Sequence, residues 1–241
     1  MIYINRVSLS PEYNEDCEYP AALPAVRYLR ENEYLPITSS VTFFVGENGS
    51  GKSTLLEAIA IACGFNAEGG SKNFSFSTMP THSGLYKHIR LSRVGYPKDG
   101  YFLRAESFYN TATYIDETDP ALCEAYGGKS LHSQSHGEAF LQTVKNRFFG
   151  KGLYILDEPE AALSPTSAMS LLIYIDRLVS DGSQFIIATH SPILTAYPDA
   201  LIYQISSSGI EKVSYRETDN YKITKSFLSD PERITMHLLE K

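Results

Sequence analysis

The chain has 241 residues, 43% of them apolar and 20% charged, with a formal net charge of −7. That balance fits one folded domain and excludes a disordered chain, a collagen-like repeat and a histone-like cationic coat for nucleic acid. Cys17, Cys63 and Cys123 form no CxxC pair and read as reduced thiols, not as a disulfide framework or a zinc site.

Residues 2–9 alternate as a strand does, and Pro11 ends them. A short helix is expected over 26–33. Residues 41–45, Val-Thr-Phe-Phe-Val, are a β-branched and aromatic run that predicts a buried strand. They lead into Gly46-Glu47-Asn48-Gly49-Ser50-Gly51-Lys52-Ser53-Thr54, after which Leu55, Leu56, Ile59, Ala60 and Cys63 recur at helical spacing until Gly64. Residues 65–81 are Gly/Ser/Asn-rich and read as a mobile loop.

Strands are predicted over 89–94 and 101–105, joined by the turn-like Gly95-Tyr96-Pro97-Lys98-Asp99-Gly100. With the N-terminal strand they are expected to build an antiparallel subdomain. Residues 106–133 are irregular. A helix is predicted over 137–149, with Phe140, Val144 and Phe148 on one face. A buried strand at 153–156 ends in Asp157-Glu158-Pro159. Ser164-Pro165 opens a helix carrying Met169, Leu172, Ile173 and Ile175, and a third core strand at 185–188 ends at Thr189-His190-Ser191. Residues 201–205 and 210–215 predict a hairpin. Asp230-Pro231-Glu232 opens a last helix, whose Ile234 and Leu238 are expected to pack back on the core or on a second copy.

Gly46 to Ser53 fit G-x-x-x-x-G-K-[ST], a loop whose backbone N–H groups turn inward around a polyphosphate at a helix N-terminus. Gly46, Asn48, Gly49, Ser50, Gly51, Lys52, Ser53 and Thr54 are therefore candidate nucleotide-binding residues. Lys52 would reach the β- and γ-phosphates and Ser53 would ligate Mg²⁺. Asp157 arrives at the end of an apolar strand, where open α/β sheets place ligands, and can hold Mg²⁺; Glu158 can accept a proton from an attacking water. His190, after the third core strand, could bond the γ-phosphate or that water. The other histidines show no metal-ligand spacing.

Together these segments resemble the ABC-type ATPases. Gly46 to Thr54 resembles their Walker A loop, Ile155-Leu156-Asp157-Glu158-Pro159 their Walker B, Ala161-Ala162-Leu163-Ser164 their D-loop and Ala188-Thr189-His190-Ser191 their switch-histidine loop. Ser135-His136-Gly137-Glu138 stands in the place of their signature. The resemblance is nearest to the non-transporter, SMC-like branch, the stand-alone AAA family ATPases. The chain departs from the pattern at Gln134-Ser135-His136-Gly137-Glu138, at Ser164 in place of Asp, and at Glu106 where a Q-loop glutamine is expected. Tyr13, Tyr19, Tyr28 and Tyr34 precede the loop, and nothing selects among them as an adenine-stacking residue.

The resemblance implies a P-loop fold with a mostly parallel core sheet, an antiparallel β-subdomain and a small helical insert, in one domain over 1–241. The core would span 1–105 and 150–241, with the signature subdomain over roughly 106–149. It further implies an ATPase that uses ATP and Mg²⁺ and switches as a homodimer. Lys52, Ser53 and Asp157 of one copy would face Ser135 and Gly137 of the other. Glu158, aided by His190, would hydrolyse ATP, and the motion would drive a protein partner or DNA in genome maintenance or defence. A transporter's nucleotide-binding subunit and a P-loop kinase are the alternatives. The altered signature, D-loop and Q-loop weigh against the first, and Asp157-Glu158 with His190 suits water more than a phosphate acceptor. Residues 87–93 carry a small basic strand that reads first as a solvated β face, and the interval from Gly51 to Ser135 is too short for a long coiled-coil arm. No apolar run approaches the ~18 residues of a membrane span, and no secretory layout opens the chain, so a cytoplasmic protein is expected.

Overall fold

Strands that can be covered on both faces make the centre of the molecule, and one-faced strands are set to its side. The computed structural model describes residues 1–13, 21–71, 83–108 and 135–239. The chain runs through β1 (Ile4–Leu9), α1 (Pro24–Glu31), β2 (Leu35–Pro36), β3 (Val41–Gly46) and α2 (Lys52–Ala62). It continues through β4 (Ile89–Arg93), β5 (Asp99–Arg104), α3 (His136–Arg147), β6 (Gly152–Asp157), α4 (Pro165–Ser180) and β7 (Gln184–Ala188). The hairpin of β8 (Leu201–Ser206) and β9 (Gly209–Val213) follows, then α5 (Asp219–Ser229) and α6 (Pro231–Leu238).

The main sheet has the order β5-β6-β7-β3-β8-β9, parallel except for β9. Its strands alternate between two cores. Phe44, Ile155, Ile186 and Ala188 face α1, α2 and the side sheet, whereas Phe43, Val45, Tyr154, Leu156 and Ile187 face α3 and α4. Burial on both faces explains why β3, β6 and β7 read as near-continuous apolar runs. The side sheet, β2-β1-β4, is antiparallel. Gln184, buried at the start of β7, fastens it to the main sheet. Its Oε1 accepts the Tyr3 and Ile4 N–H groups at 2.8 and 2.9 Å, and its Nε2 donates to the Ile4 carbonyl at 2.8 Å.

The structure departs from the sequence reading at several places. Residues 89–93 join the antiparallel subdomain, but β5 does not. It pairs in parallel with β6, Arg104 opposite Asp157, because Tyr101, Phe102 and Leu103 are all buried and need cover on both faces. Part of the expected mobile loop is anchored: Phe65 is buried and Gly70 bridges Phe102, while 72–82 lies outside the described residues. In α4 the core-facing residues are Ala168, Leu171, Ile175 and Leu178; Met169 and Ile173 point to solvent. The C-terminal helices bury no residue, and Leu238 is 70% exposed, so α6 does not pack back on the core. Most of the expected helical insert, 109–134, is outside the described residues.

Candidate functional site

Parallel register brings the C-terminal ends of β3, β5, β6 and β7 together, with Phe44 and Asp157 both opposite Ala188. The loop into α2 leaves from β3 and the turn into α4 from β6 at this edge, which is where α/β sheets collect ligands.

The loop after β3 turns at once. Gly46 has φ +148°, and a Cβ there would lie 2.2 Å from the carbonyl oxygen of Ile205 on β8, so no other residue fits. Gly51, in the left-handed region at φ +90°, is the N-cap of α2. The buried Lys52 folds back into the loop it follows: its Nζ donates to the Gly46 carbonyl at 3.0 Å and the Glu47 carbonyl at 2.9 Å. Burial lowers the pKa of its ammonium, opposed by the carboxylates of Glu158, Asp157 and Glu160. Lys52, Ser53, Thr54, Asn48, Gly49 and Gly51 line one cleft of about 310 Å³ with Glu158, Glu106 and Leu23. On the other side of the loop a second cleft, of about 440 Å³, runs from Gly46–Ser50 to Gln204, Asp219, Asn220 and Ile223.

Asp157 ends β6 and is 3% exposed. Burial pushes its carboxyl up to about 6, against the pull of the Arg104 guanidinium and a hydrogen bond from Ser53. Arg104, at the end of β5, stands at the junction of three acids: Glu57 of α2 at 2.8 Å, Asp157 at 3.4 Å and Glu106 at 3.6 Å. The Oδ1 of Asp157 has no hydrogen-bond partner among the described residues, nor does Ser50 Oγ. Glu158 follows in the left-handed region, φ +48° and ψ +50°, a conformation that costs a non-glycine residue energy and that often marks functional turns. Its N–H continues the ladder to the Ala188 carbonyl at 2.9 Å while its side chain faces the Lys52 cleft. His190 Nε2 lies 3.5 Å from Glu158 Oε1.

A domain profile described as "AAA domain" matches residues 25–111, and one described as "AAA domain, putative AbiEii toxin, Type IV TA system" matches residues 138–196. Among solved structures, cbiO1 from Clostridium perfringens, part of the ABC transporter complex cbiONQ, is 18% identical. It aligns over 100% of both chains with a TM-score of 0.54. The SmcHead bound to the C-winged helix domain of ScpA is 16% identical over 88% of this chain and 97% of that one, with a TM-score of 0.50. The fold is that of an ABC-type P-loop ATPase. The comparison with curated proteins finds no match.

Within this ABC-type fold, Ser135 and Gly137 line neither cleft beside the loop. Ser135 caps α3 in a reciprocal box with Glu138, whose carboxyl those hydrogen bonds hold below its ordinary pKa. A Cβ on Gly137 would lie 2.8 Å from the Ala162 carbonyl, so the start of α3 rests on the D-loop-like turn of its own chain. Ser164 is the N-cap of α4, accepting from the Ser167 N–H at 3.1 Å. Of the four tyrosines, Tyr13 meets His88 edge-on, Tyr28 packs against the core and Tyr34 lies under the Arg6 guanidinium. None of these three lines either cleft, and Tyr19 lies outside the described residues. Leu23 sits at the loop instead.

Sequence reasoning missed Arg104, Glu57, Glu160 and Asn220. Only the Asp-Glu-Pro-Glu run hinted at Glu160; the others are brought in by strand pairing and helix docking.

For Mg²⁺ the donor set fits. Among the described residues no three His, Cys, Asp or Glu side chains are gathered for a metal. Instead a buried Asp157 with an unpaired oxygen adjoins Ser53, the sparse protein donor set with which Mg²⁺ sits beside substrate phosphates. Among the described residues no helix is long and apolar enough to cross a membrane.

Proposed function

We propose that the chain binds ATP with Mg²⁺ in the cleft beside Lys52 and hydrolyses it, two copies closing around the nucleotide. One observation carries the reading. Neighbouring parallel strand ends deliver Lys52, Ser53, Asp157, Glu158 and His190 to a single edge of the sheet. The backbone of Gly46, Asn48, Gly49, Ser50 and Gly51, with Thr54 behind it, would cradle the β- and γ-phosphates at the N-terminus of α2. Lys52 would exchange the Gly46 and Glu47 carbonyls for phosphate oxygens. Ser53 and Asp157 would hold Mg²⁺, which when bound neutralises charge developing on those oxygens. Glu158 would take the proton of the attacking water, and His190 would hold Glu158 and that water in line.

The start of α3, exposed at Ser135, would cover the γ-phosphate of a second copy, since it does not reach the cleft of its own chain. Opening and closing of that dimer would be passed to a partner, protein or DNA, in genome maintenance or defence. Gln134, Ser164 and Glu106 favour the non-transporter, SMC-like branch over a transporter subunit.

Glu158→Gln tests this. It keeps the side chain's shape and removes the base, so steady-state phosphate release should fall by about 10²–10⁴-fold. With ATP and Mg²⁺ the variant should elute as a dimer in size-exclusion chromatography. An ATP-loaded variant that stays monomeric would overturn the paired arrangement, and undiminished turnover would overturn the role of Glu158.

A further inference from the structure

The main chain of His190 is gripped from two sides. Glu160 lies on the short 3₁₀ turn Pro159–Ala162 that follows Glu158. Thr189 Oγ1 donates to its Oε2 at 2.7 Å, and the His190 N–H donates to its Oε1. Opposite, Asn220 Nδ2, in the first turn of α5, donates to the His190 carbonyl at 3.0 Å. The Thr189 hydroxyl is itself fixed, accepting the Ser191 N–H at 3.0 Å. What remains free to act is the imidazole, whose Nε2 has no hydrogen-bond partner among the described residues and faces Glu158 at 3.5 Å.

A backbone N–H and a hydroxyl can be satisfied by water or a neutral side chain. A half-buried side chain whose two terminal atoms both engage one loop does what separate waters cannot, fixing that loop in two directions at once. Because Glu160 stands two residues after Glu158 on the same turn, it ties the proposed base and the histidine loop into one rigid piece. We infer that Glu160 is a positioning residue for hydrolysis, setting His190 against Glu158 with Asn220 bracing the loop from the far side. This rests on the ATPase reading of the cleft. Glu160 touches no reacting atom in this arrangement; it acts through His190.

Glu160 also faces Lys52 electrostatically, so its charge and its hydrogen bonds must be separated. Glu160→Ala should lower kcat by about 10–100-fold, the size found for partners that orient active groups. The equilibrium Kd for a fluorescent ATP analogue should stay within about threefold of the wild type. Glu160→Gln should keep most of the activity: its oxygen accepts the His190 N–H while its NH₂ donates to the Thr189 hydroxyl oxygen. In a His190→Ala background, Glu160→Ala should cost nothing further. Asn220→Ala, at a half-exposed position, should lower kcat in the same direction and carries the test if Glu160→Ala does not fold. With the wild type active and Glu158→Gln dead, three results each overturn the positioning role alone. They are unchanged kcat in Glu160→Ala, a Glu160→Gln as inactive as the alanine, and additive losses in the double variant. A wild type that releases no phosphate from ATP overturns the ATPase reading as well.

Discussion

Asp157→Asn should stabilise the protein when metal and nucleotide are withheld. The Asp157 carboxyl is 3% exposed and raised from 3.8 to about 6, chiefly by burial that Arg104 and Ser53 only partly offset. At 1.36 kcal/mol per pKa unit, keeping it ionised in the folded state costs about 3 kcal/mol. Below about pH 4 the carboxyl is protonated whether folded or not, and little is lost. Between about pH 4 and 6 the unfolded chain ionises first and binds fewer protons than the folded one, so stability falls as pH rises. Above about pH 6 the full cost is present. The asparagine mimics the protonated acid and avoids that cost. Urea denaturation in EDTA should therefore find Asp157→Asn more stable than the wild type by about 3 kcal/mol at pH 8, the gap closing to under about 1 kcal/mol near pH 4. ATP and Mg²⁺ at about 1,000 times the Kd should reverse the order, because they stabilise the wild type by about 4.1 kcal/mol, more than its deficit, and the variant much less. No gain at pH 8, or a gap that widens toward acid, would refute the account of this carboxylate.

Gly46→Ala places a Cβ 2.2 Å from a backbone oxygen at φ +148°, so the loop must shift; binding of a fluorescent ATP analogue should be lost together with about 1–3 kcal/mol of stability, and retained affinity would count against the tight turn. Gln184→Leu strands two buried N–H groups and a carbonyl between the sheets. It should cost about 2–4 kcal/mol in urea denaturation, and a loss below about 1 kcal/mol would show that the side sheet is held by other contacts.

The parts of the fold that were legible from the sequence are those whose signal is local. β3, β6 and β7 are apolar on both faces and announce themselves, and the glycines of the loop after β3 form a contiguous pattern in the chain, although the atom that requires Gly46 is the Ile205 carbonyl oxygen on β8. The sequence assigns β5 to the antiparallel subdomain because the six-residue turn before it looks like a hairpin connection, whereas β5 pairs in parallel with β6. What decides its destination is that Tyr101, Phe102 and Leu103 all need cover, and only the pairing with β6 gives it. The C-terminal helices carry apolar residues at helical spacing, yet Ile223, Leu228, Met236 and Leu238 stay exposed, since spacing states which residues share a face and not what that face meets. Glu160 and Asn220 were invisible for a similar reason: both hold main-chain atoms of His190, Glu160 the Thr189 hydroxyl besides, and a main chain has no sequence signature.

Arg104 is the clearest case of chemistry that only the sheet register supplies. α2 buries Glu57 and β6 buries Asp157, two carboxylates that would be costly to place near one another in a poorly solvated edge. Pairing Arg104 opposite Asp157 puts one guanidinium between them, and Glu106 adds a third acid from the solvent side. Its bond to Glu57 is the short one, while the contact with Asp157 is longer and leaves that residue's Oδ1 free. Arg104 thus pairs closely with the acid of α2 and only loosely with the strand-end acid. A carboxylate fully paired with arginine would be a poor partner for Mg²⁺, and one with no cation beside it would stay protonated well above its ordinary range. The intermediate arrangement leaves Asp157 able to ionise near neutral pH with an oxygen to offer, which is the condition the proposed chemistry places on it.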